Sequence, residues 1–167
     1  KAMQSVADIL DTPYGAKLLD PPYIDHYFDG ALMHIFNPDT KENGGIFSQS
    51  QGWLILAESL LGHGDDAFRY FEESSPASMN DKAEQRVLEP YVHGQFTEST
   101  ASPYAGRSHV HWLTGTASTV MVGCVEGICG MRPDADGLHI CPSIPAAWDG
   151  FTMEKTFRGK KLSITVQ

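Results

Sequence analysis

Apolar residues recur at helical spacing in four stretches of the chain: residues 1–11, a stretch that opens at Ser50 or Gln51, residues 66–73 and residues 116–131. This spacing brings the apolar side chains to one face and predicts four helices. Residues 62–64, Gly-His-Gly, end the second helix and Asp65 is a suitable N-cap for the third, so these two form a helical hairpin. The fourth stretch is apolar on nearly all sides, which is typical of a helix packed all round.

Alternation of apolar and polar residues replaces the helical spacing near the end of the chain. Residues 138–141 and 162–166 alternate in this way, which predicts half-buried strands on either side of a Pro-Ser-Ile-Pro break at residues 142–145. The last strand reaches the final residue without a predicted partner strand, and the first helix begins within an amphipathic stretch at Lys1. We therefore expect a mainly helical chain that opens a β-region and is a piece of a longer protein.

Two long segments between the predicted helices are rich in turn residues. Residues 19–45 combine Pro21, Pro22 and Pro38 with glycine, asparagine and many aromatic residues, a mixture that suits an ordered functional loop better than a linker. Residues 74–111 are also loop-rich. Because binding residues concentrate on loops that a scaffold holds in place, these segments are where a site is expected.

Composition and charge exclude several classes of function. The chain of 167 residues carries 12 basic and 21 acidic residues, a formal net charge of −9, and its scattered basic residues argue against a nucleic-acid partner. No run of roughly 20 apolar residues predicts a membrane-spanning helix. The three cysteines, Cys124, Cys129 and Cys141, lack metal-ligand spacing and are interpreted as small core residues of a protein in a reducing compartment, the cytoplasm.

The first candidate site lies at residues 112–118, Trp-Leu-Thr-Gly-Thr-Ala-Ser, where a loop enters the fourth helix. A hydroxyl, a glycine that lets a ligand approach the backbone and the free amides of a first helical turn suit phosphate or another anion. The alternative is that Thr114 or Thr116 only caps the helix. The pattern allows both interpretations.

Residues 41–45, Lys-Glu-Asn-Gly-Gly, form the second candidate. Glu42 can accept hydrogen bonds from sugar hydroxyls, and Lys41 can bind a carboxylate or a phosphate. The alternative is an ordinary turn, since Asn-Gly pairs are common in turns.

Residues 89–95, Glu-Pro-Tyr-Val-His-Gly-Gln, form the third candidate. In an extended segment, alternation directs Tyr91, His93 and Gln95 to the same side. An aromatic ring beside amide and carboxylate groups suits a pyranose, which has apolar faces and a ring of hydroxyls. The alternative is a polar strand edge.

Residues 107–111 contain an arginine and two histidines. His109 and His111 would lie on one side of a strand, as a metal site requires, but no third ligand of suitable spacing follows, so we predict no metal. Arg107 lies in a glycine-containing loop, where its guanidinium can bind a carboxylate through two hydrogen bonds or remain solvated.

Several motifs, taken in order, resemble the C-terminal third of glycoside hydrolase family 94, the inverting disaccharide phosphorylases. They lie at residues 41–47, 89–92, 112–117, 136–145, 148–151 and 157–159. The resemblance covers nearly the whole chain from Tyr14 onward. Within the family, residues 107–112, Arg-Ser-His-Val-His-Trp, are most similar to the members that act on cellobionic acid.

The resemblance implies a large enzyme whose active site lies in an (α/α)6 barrel followed by a C-terminal β-domain. Residues 1–132 would supply the last helical hairpins of the barrel, and residues 133–167 the first strands of the β-domain. In such enzymes inorganic phosphate attacks the anomeric carbon with inversion while an aspartic acid protonates the leaving oxygen. The resemblance implies no cofactor; the partners are a disaccharide, phosphate, the rest of the parent chain and a second copy in a homodimer.

The family's binding residues transfer to several positions of this chain. Thr114 and Gly115 fall on phosphate-binding positions, in agreement with the anion site proposed above. Glu42 and Gln95 fall on sugar-binding positions, and Lys41 beside Glu42 is a further candidate.

Two departures from the family pattern bear on the chemistry. The general-acid aspartate lies in a motif that this chain lacks, and Asp149 belongs to a β-domain motif, so we assign no catalytic residue here and expect the isolated chain to be inactive. Gln49 stands where the family usually has a phosphate-binding histidine. Its amide can donate a hydrogen bond but cannot carry positive charge.

Two classes of function follow. The first is a piece of a family 94 phosphorylase that acts on cellobionic acid, with Arg107, or else Lys41, binding the gluconate carboxylate; cellobiose and chitobiose are the alternative substrates. The second is a non-catalytic glycan-binding or structural module that has kept the sugar contacts and lost the chemistry, which Gln49 favours.

Overall fold

The computed structural model describes residues 1–24 and 32–167, so residues 25–31 of the predicted loop lie outside the described residues. The helices are α1 (Ala2–Ser5), α2 (Ser48–Leu60), α3 (Gly64–Ser74), α4 (Ala83–Arg86) and α5 (Thr116–Val122), with π-helical turns at Val6–Leu10 and Gly123–Ile128 and 3₁₀ turns at Leu32–Ile35 and Ala77–Lys82. The four predicted helical regions are confirmed, the first and last being completed by the π-helical turns. Within the described residues, each helix is too short or too polar to cross a membrane.

The predicted hairpin of α2 and α3 is confirmed and contains the core. Leu54 and Ile55 of α2 pack with Ala67 and Tyr70 of α3 and with Ile128. These side chains are buried, and Ile55, Ala67 and Tyr70 completely so. Burial of this apolar surface is the main source of stability for such a hairpin.

The predicted N-cap of α3 is wrong. His63, one residue before the helix starts at Gly64, occupies the N-cap position, and Asp65 lies within the first turn. The Asp65 carboxylate instead accepts a hydrogen bond from the backbone N–H of Ala146 at 2.7 Å. A carboxylate in the first turn still lies at the positive end of the helix dipole. Asp65 therefore follows the preference of acidic residues for a helix N-terminus, although its side chain bonds to Ala146 and not to the helix.

Helices α2 and α5 cross in direct backbone contact. A Cβ atom added to Gly52 of α2 would lie 2.3 Å from the carbonyl carbon of Thr119, and one added to Gly123 would lie 2.9 Å from the carbonyl oxygen of Gly52. Only glycine allows so close an approach. The crossing therefore holds the first turn of α2 beside the start of α5.

A three-stranded antiparallel sheet leads into α2. Its strands are β1 (Ile46–Phe47), β2 (Gly94–Thr97) and β3 (Ser108–His111), in the order β1-β2-β3. Phe96 pairs with Phe47 on one side and with His109 on the other. Strands β2 and β3 lie within the segment predicted to be loop-rich, since four residues are too few for alternation to stand out.

Two hairpins form the end of the chain. Strand β4 (Met131–Pro133) pairs with β5 (Leu138–Ile140), and β6 (Phe151–Phe157) pairs with β7 (Lys160–Val166) along their whole lengths. The expectation that the last strand has no partner is wrong, because β6 is its partner. The residues of β6 alternate between half-buried and exposed, but its polar threonine, glutamate and lysine side chains concealed this alternation in the sequence.

Two burial predictions are also wrong. Helix α5 is not packed on all sides: Met121 is 62% exposed, and Val122 is exposed as well. The cysteines are not core residues, since Cys141 is exposed and Cys124 and Cys129 are half-buried. An apolar sequence shows which side chains favour burial but not which neighbours are present to cover them.

Candidate functional site

The structure places Gln49 against Gly115, two residues of the predicted anion site. Gln49 lies in the first turn of α2, and Gly115 directly precedes α5. A Cβ atom added to Gly115 would lie 3.3 Å from Cδ of Gln49. The hydroxyl of Thr119 also donates a hydrogen bond to the carbonyl oxygen of Gln49 at 2.9 Å. The crossing of α2 and α5 therefore sets the Gln49 amide beside the exposed backbone of Gly115.

Thr114 lies next to this pair and has a structural bond of its own. Its Oγ1 accepts a hydrogen bond from the backbone N–H of Thr116 at 3.2 Å and lies 2.6 Å from Oγ1 of Thr116. The capping alternative is wrong, because Gly115 occupies the N-cap position of α5; the Thr114 hydroxyl instead closes a turn onto the Thr116 N–H. A hydroxyl has one donor and two acceptor positions, so when Thr116 donates within the hydroxyl pair, the Thr114 proton remains available to an anion.

Lys41 and Gln95 meet at a second position, on strand β2. Nζ of Lys41 donates a hydrogen bond to Oε1 of Gln95 at 2.6 Å and lies 4.8 Å from the centroid of the Phe96 ring. The amide oxygen and the aromatic ring both stabilise the ammonium at this position. Together the two side chains offer a cationic donor and an amide, groups that bind sugar hydroxyls or a carboxylate.

The turn at residues 39–45, which carries Lys41 and Glu42, is held by two polar residues that sequence reasoning missed. Asp39 and Asn43 are both 0% exposed. The Asn43 side chain donates to two backbone carbonyls and accepts from one backbone N–H, at 2.7–2.9 Å; its partners belong to Tyr23 and Phe36. The signal in the sequence was Pro38-Asp39 and Asn43-Gly44, pairs that are typical of turns with side-chain hydrogen bonds to the backbone.

His109 is bound to a buried carboxylate. Its Nε2 lies 2.6 Å from Oε1 of Glu98, and its ring stacks on Phe96 with centroids 4.8 Å apart. The hydroxyl of Ser102 donates to the other oxygen of Glu98. His111, two residues along β3, is exposed. Glu98 therefore gives His109 a structural role beneath the Lys41 position.

Arg107 directly precedes β3 at the far end of the β2–β3 pair. Its guanidinium lies over the Tyr104 ring, with Cζ 4.9 Å from the centroid, and its carbonyl oxygen accepts a hydrogen bond from the Glu98 N–H at 2.9 Å. Glu98 is three residues beyond Gln95, so Arg107 and the Lys41–Gln95 pair are separate positions on the sheet. Stacking on an aromatic ring holds a guanidinium while leaving its donors available.

The condition for Tyr91, His93 and Gln95 to point the same way, an extended segment, is not met before Gly94, where strand β2 begins. Tyr91 is exposed and packs edge-on against Trp112, with ring centroids 6.4 Å apart. His93 instead lines an interior cavity. Of the three, Gln95 is the one that reaches Lys41.

That cavity lies apart from the predicted phosphate and sugar residues. It measures about 20 Å³, room for one water molecule, and its lining includes Gln51, Glu73, Arg86 and His93. Burial lowers the pKa of His93 and of Arg86, and the Arg86 charge lowers that of His93 further. The Arg86 guanidinium donates to the backbone carbonyls of Glu89 and Val92, so its role is to close the loop before β2.

Two groups of side chains in the described part of the chain bring three possible metal ligands within 4.8 Å of one another. One is Glu58, His63 and Asp66 at the α2–α3 turn, and the other is Asp134, Asp136 and His139 on the β4–β5 hairpin. Neither includes the histidines of β3. His139 lowers the pKa of Asp136, and Asp136 raises that of His139, as expected for an exposed ion pair.

Two family models match the chain end to end. Residues 1–130 match the glycosyl hydrolase 94 superfamily, catalytic domain, and residues 131–167 match the glycosyl hydrolase family 65, C-terminal domain. The two matches meet where the π-helical turn after α5 gives way to β4.

Several similar proteins are disaccharide phosphorylases, and one, from Rhizobium meliloti, is a cyclic beta-(1,2)-glucan synthase that is 30% identical over 99% of this chain and 6% of its own length. N,N'-diacetylchitobiose phosphorylases from Vibrio furnissii and Vibrio proteolyticus are 37% and 34% identical over all of this chain and 21% of their own lengths. Cellobionic acid phosphorylase from Neurospora crassa is 28% identical over all of this chain and 22% of its own length. The chain thus spans about a fifth of the length of these three phosphorylases.

Proposed function

Because the chain belongs to the glycosyl hydrolase 94 superfamily, we propose that it forms part of an inverting disaccharide phosphorylase. The protein transfers a glycosyl unit from a β-linked disaccharide to inorganic phosphate; with a glucosyl unit the product is glucose 1-phosphate. Phosphate is itself an anionic nucleophile, so the reaction needs a general acid but no carboxylate base. That acid belongs to a part of the protein outside this chain, and the residues described above bind the two substrates.

Gln49, Gly115 and Thr114 bind the phosphate. The observation that carries this assignment is the contact between Gln49 and Gly115, which unites two segments far apart in sequence at one exposed surface. The Gln49 amide, the backbone beside Gly115 and the Thr114 hydroxyl all supply uncharged hydrogen bonds. Phosphate binding therefore depends on geometry at this surface, and positive charge must come from other parts of the protein.

Lys41, Glu42 and Gln95 bind the disaccharide. Lys41 and Gln95 are already joined by a hydrogen bond of 2.6 Å, and Glu42 is exposed on the same turn. The Lys41 ammonium and the Gln95 amide can exchange this bond for bonds to sugar hydroxyls, so little reorganisation is needed on binding.

We assign cellobionic acid as the substrate and Arg107 as the residue that binds its carboxylate. The Arg107 guanidinium is stacked on Tyr104 and retains donors for a two-point contact with a carboxylate. N,N'-diacetylchitobiose is the second candidate, favoured by the two Vibrio relatives. Cellobiose, which lacks both the carboxylate and the acetamido groups, is the third.

The scaffold that we propose is the end of an (α/α)6 barrel in residues 1–132, followed by the opening of a β-domain in residues 133–167. The α2–α3 hairpin and α5 supply the last barrel helices, whose exposed apolar side chains would pack on the rest of the barrel. We further propose a homodimer that acts in the cytoplasm, consistent with three free cysteines.

A non-catalytic glycan-binding module is the alternative class, and Gln49 in place of a cationic histidine is the observation that favours it. The test is release of glycosyl 1-phosphate by the full-length protein from cellobionic acid, N,N'-diacetylchitobiose and cellobiose, with and without phosphate. Phosphorolysis predicts release that requires phosphate. Binding without release would establish the module, and phosphate-independent release of free sugar would establish a hydrolase.

The carboxylate assignment is tested by Arg107→Ala in the full-length protein. Because a bidentate arginine–carboxylate contact contributes about 2–3 kcal/mol, kcat/KM on cellobionic acid should fall by roughly 30- to 150-fold, while kcat/KM on cellobiose changes little. Arg107→Lys keeps the charge but loses the paired donors of the guanidinium, so it should recover only part of the lost kcat/KM on cellobionic acid. Equal losses on both sugars would reject Arg107 as the carboxylate ligand.

A further inference from the structure

Asp39 is a wholly buried aspartate that contacts none of the residues assigned to substrate. Its Oδ2 accepts a hydrogen bond from the backbone N–H of Ala101 at 2.7 Å, and its carbonyl oxygen accepts one from the N–H of Ser99 at 2.9 Å. Its own N–H donates to the carbonyl oxygen of Asn43 at 2.7 Å. One residue thus bonds both across the 39–45 turn and to the loop at residues 98–107.

These bonds add to the pairing of β1 with β2 and tie two parts of the sugar site together. The 39–45 turn carries Lys41 and Glu42, and the 98–107 loop leads to Arg107. The loop is in turn held to the sheet, because the Glu98 N–H donates to the Arg107 carbonyl oxygen and the Gly106 N–H donates to that of Glu98. A shift of the turn relative to the loop would therefore move Lys41 relative to Arg107.

We propose that Asp39 is a positioning residue for the disaccharide, which sets the spacing between Lys41 and Glu42 on one side and the 98–107 loop on the other. The inference rests on the proposed function only in that these residues contact the sugar. Asp39 acts through the turn and does not itself touch substrate.

The surroundings of Asp39 show why its side chain is needed. The backbone at Asp39 and Lys41 has positive φ, 61° and 46°, a conformation that costs energy for a non-glycine residue and persists only when neighbours hold it. The carboxylate fits closely, since a Cβ atom added to Gly44 would lie 2.8 Å from Oδ1. Lys17 lies 4.0 Å from the same oxygen and also pairs with Asp20, so the buried charge has a cation nearby.

The phosphate site is held by different contacts. Gln49 and Gly115 are brought together by the crossing of α2 and α5 and by the hydrogen bond from Thr119 to Gln49. None of the Asp39 bonds described above reaches these residues. Loss of the Asp39 side chain should therefore weaken disaccharide binding while leaving phosphate binding unchanged, a division that general unfolding would not produce.

The test compares Asp39→Ala and Asp39→Asn in the full-length protein with the control Asp65→Ala. Asp65 also accepts a backbone N–H at 2.7 Å, from Ala146, but contacts no site residue. The measurements are kcat, the KM values for disaccharide and for phosphate, and the Kd of cellobionic acid, cellobiose and N,N'-diacetylchitobiose by calorimetry without phosphate. Circular dichroism checks that each variant is folded.

Asp39→Ala should raise the disaccharide KM and Kd about tenfold or more, the effect of losing one charge-assisted hydrogen bond, with kcat and the phosphate KM within about twofold of wild type. Asp39→Asn keeps an acceptor for Ala101 and should recover part of the affinity; if Asp39→Ala does not fold, this variant carries the comparison. Asp65→Ala should leave kcat, both KM values and the disaccharide Kd unchanged.

Equal rises in both KM values, an unchanged disaccharide Kd, or the same loss in Asp65→Ala would overturn the positioning role. The Kd measured by calorimetry without phosphate separates failure of the positioning role from failure of the proposed function. A wild-type protein that binds a disaccharide but releases no sugar phosphate would refute phosphorolysis and still allow Asp39 to be judged. A wild-type protein that binds none of the three sugars would overturn the inference as well.

Discussion

Gln49 and Thr114 each combine an observed structural bond with a proposed role at the phosphate site. The Thr114 hydroxyl accepts the Thr116 N–H in the turn before α5, and the same oxygen belongs to the proposed anion site. Gln49 anchors α5 through its carbonyl oxygen and directs its amide to Gly115. Sequence reasoning identified both residues, because each lies in a recognisable motif, but not the hydrogen bonds that hold them.

Gln49→His tests the phosphate site at the scale of one residue. An imidazole has a pKa near 6.5, so below that pH the variant places a cation beside the phosphate and above it a neutral ring. The phosphate KM of Gln49→His should therefore fall severalfold between pH 8 and pH 6, relative to wild type measured in parallel, which corrects for titration of phosphate itself. The steady-state kinetics of the full-length protein supply the measurement. A pH profile that matches wild type would show that residue 49 does not face the phosphate.

At the scale of elements, the contact between α2 and α5 determines where the site forms. Gly52 and Gly123 let the two helix backbones touch, and this contact brings residues 49 and 115 together. The helical spacing predicted both helices but not which pair would cross. Glycine within an apolar helix is a weak indicator of a close helix contact, and here it was the only one.

Gly52→Ala tests this crossing. The added methyl group would lie 2.3 Å from the Thr119 carbonyl carbon, so the helices must move apart, and the free energy of unfolding should fall by about 1–3 kcal/mol. The phosphate KM should rise as well, since Gln49 and Gly115 separate. Gly137→Ala is the matched control, because no atom lies within 4 Å of its added Cβ. The free energy of unfolding in urea and the phosphate KM are measured for both variants. Equal stability of Gly52→Ala and Gly137→Ala would contradict the close contact between α2 and α5.

Helix α3 carries a buried carboxyl group that makes stability depend on pH. Burial raises the pKa of Glu73 to about 7, although Arg69 Nη1 donates to it at 2.8 Å. In the unfolded chain a glutamate titrates near 4.3, so between that pH and about 7 the unfolded state loses its proton first. This group therefore stabilises the fold fully below about pH 4, and its contribution is lost as the pH rises to 7.

Glu73→Gln should remove that loss, because an amide stays neutral at every pH. The free energy of unfolding of the variant, relative to that of wild type, should therefore rise from pH 5 to pH 8. Urea unfolding at both pH values measures this difference. Glu72→Gln, at an exposed neighbouring position, serves as the control and should follow wild type. A parallel pH dependence in wild type and Glu73→Gln would assign the effect to other groups.

At the scale of the whole molecule, the chain holds the groups that we propose to bind two substrates, but it spans about a fifth of the length of the Vibrio relatives. Large apolar side chains such as Trp53, Leu60 and Met121 are more than half exposed. Contiguous exposed apolar surface favours further packing. The fold described here therefore suits a part of a larger protein better than an independent enzyme.

The isolated chain should release no glycosyl 1-phosphate from any of the three disaccharides, because a general acid is needed to protonate the leaving oxygen and none is assigned within residues 1–167. The measurement compares the isolated chain with the full-length protein at equal concentration, in phosphate. The full-length protein with Thr114→Val serves as a positive control of reduced but measurable activity. Phosphate-dependent release by the isolated chain would show that its own residues include the acid.

The sequence by itself determined the helical hairpin, α5, two of the C-terminal strands and the motifs at residues 41–45 and 112–117, because periodicity and turn chemistry are local properties. Only the tertiary structure decided that β6 pairs with β7, that β2 and β3 form a sheet with β1, that Asp65 does not cap α3, and that α5 and the cysteines are partly exposed. Each of these depends on which distant segment lies alongside. Three contacts at the proposed site likewise depend on distant segments, since backbone approach and burial arise from packing. They are the contacts of Gln49 with Gly115, of Lys41 with Gln95 and of Asp39 with the 98–107 loop.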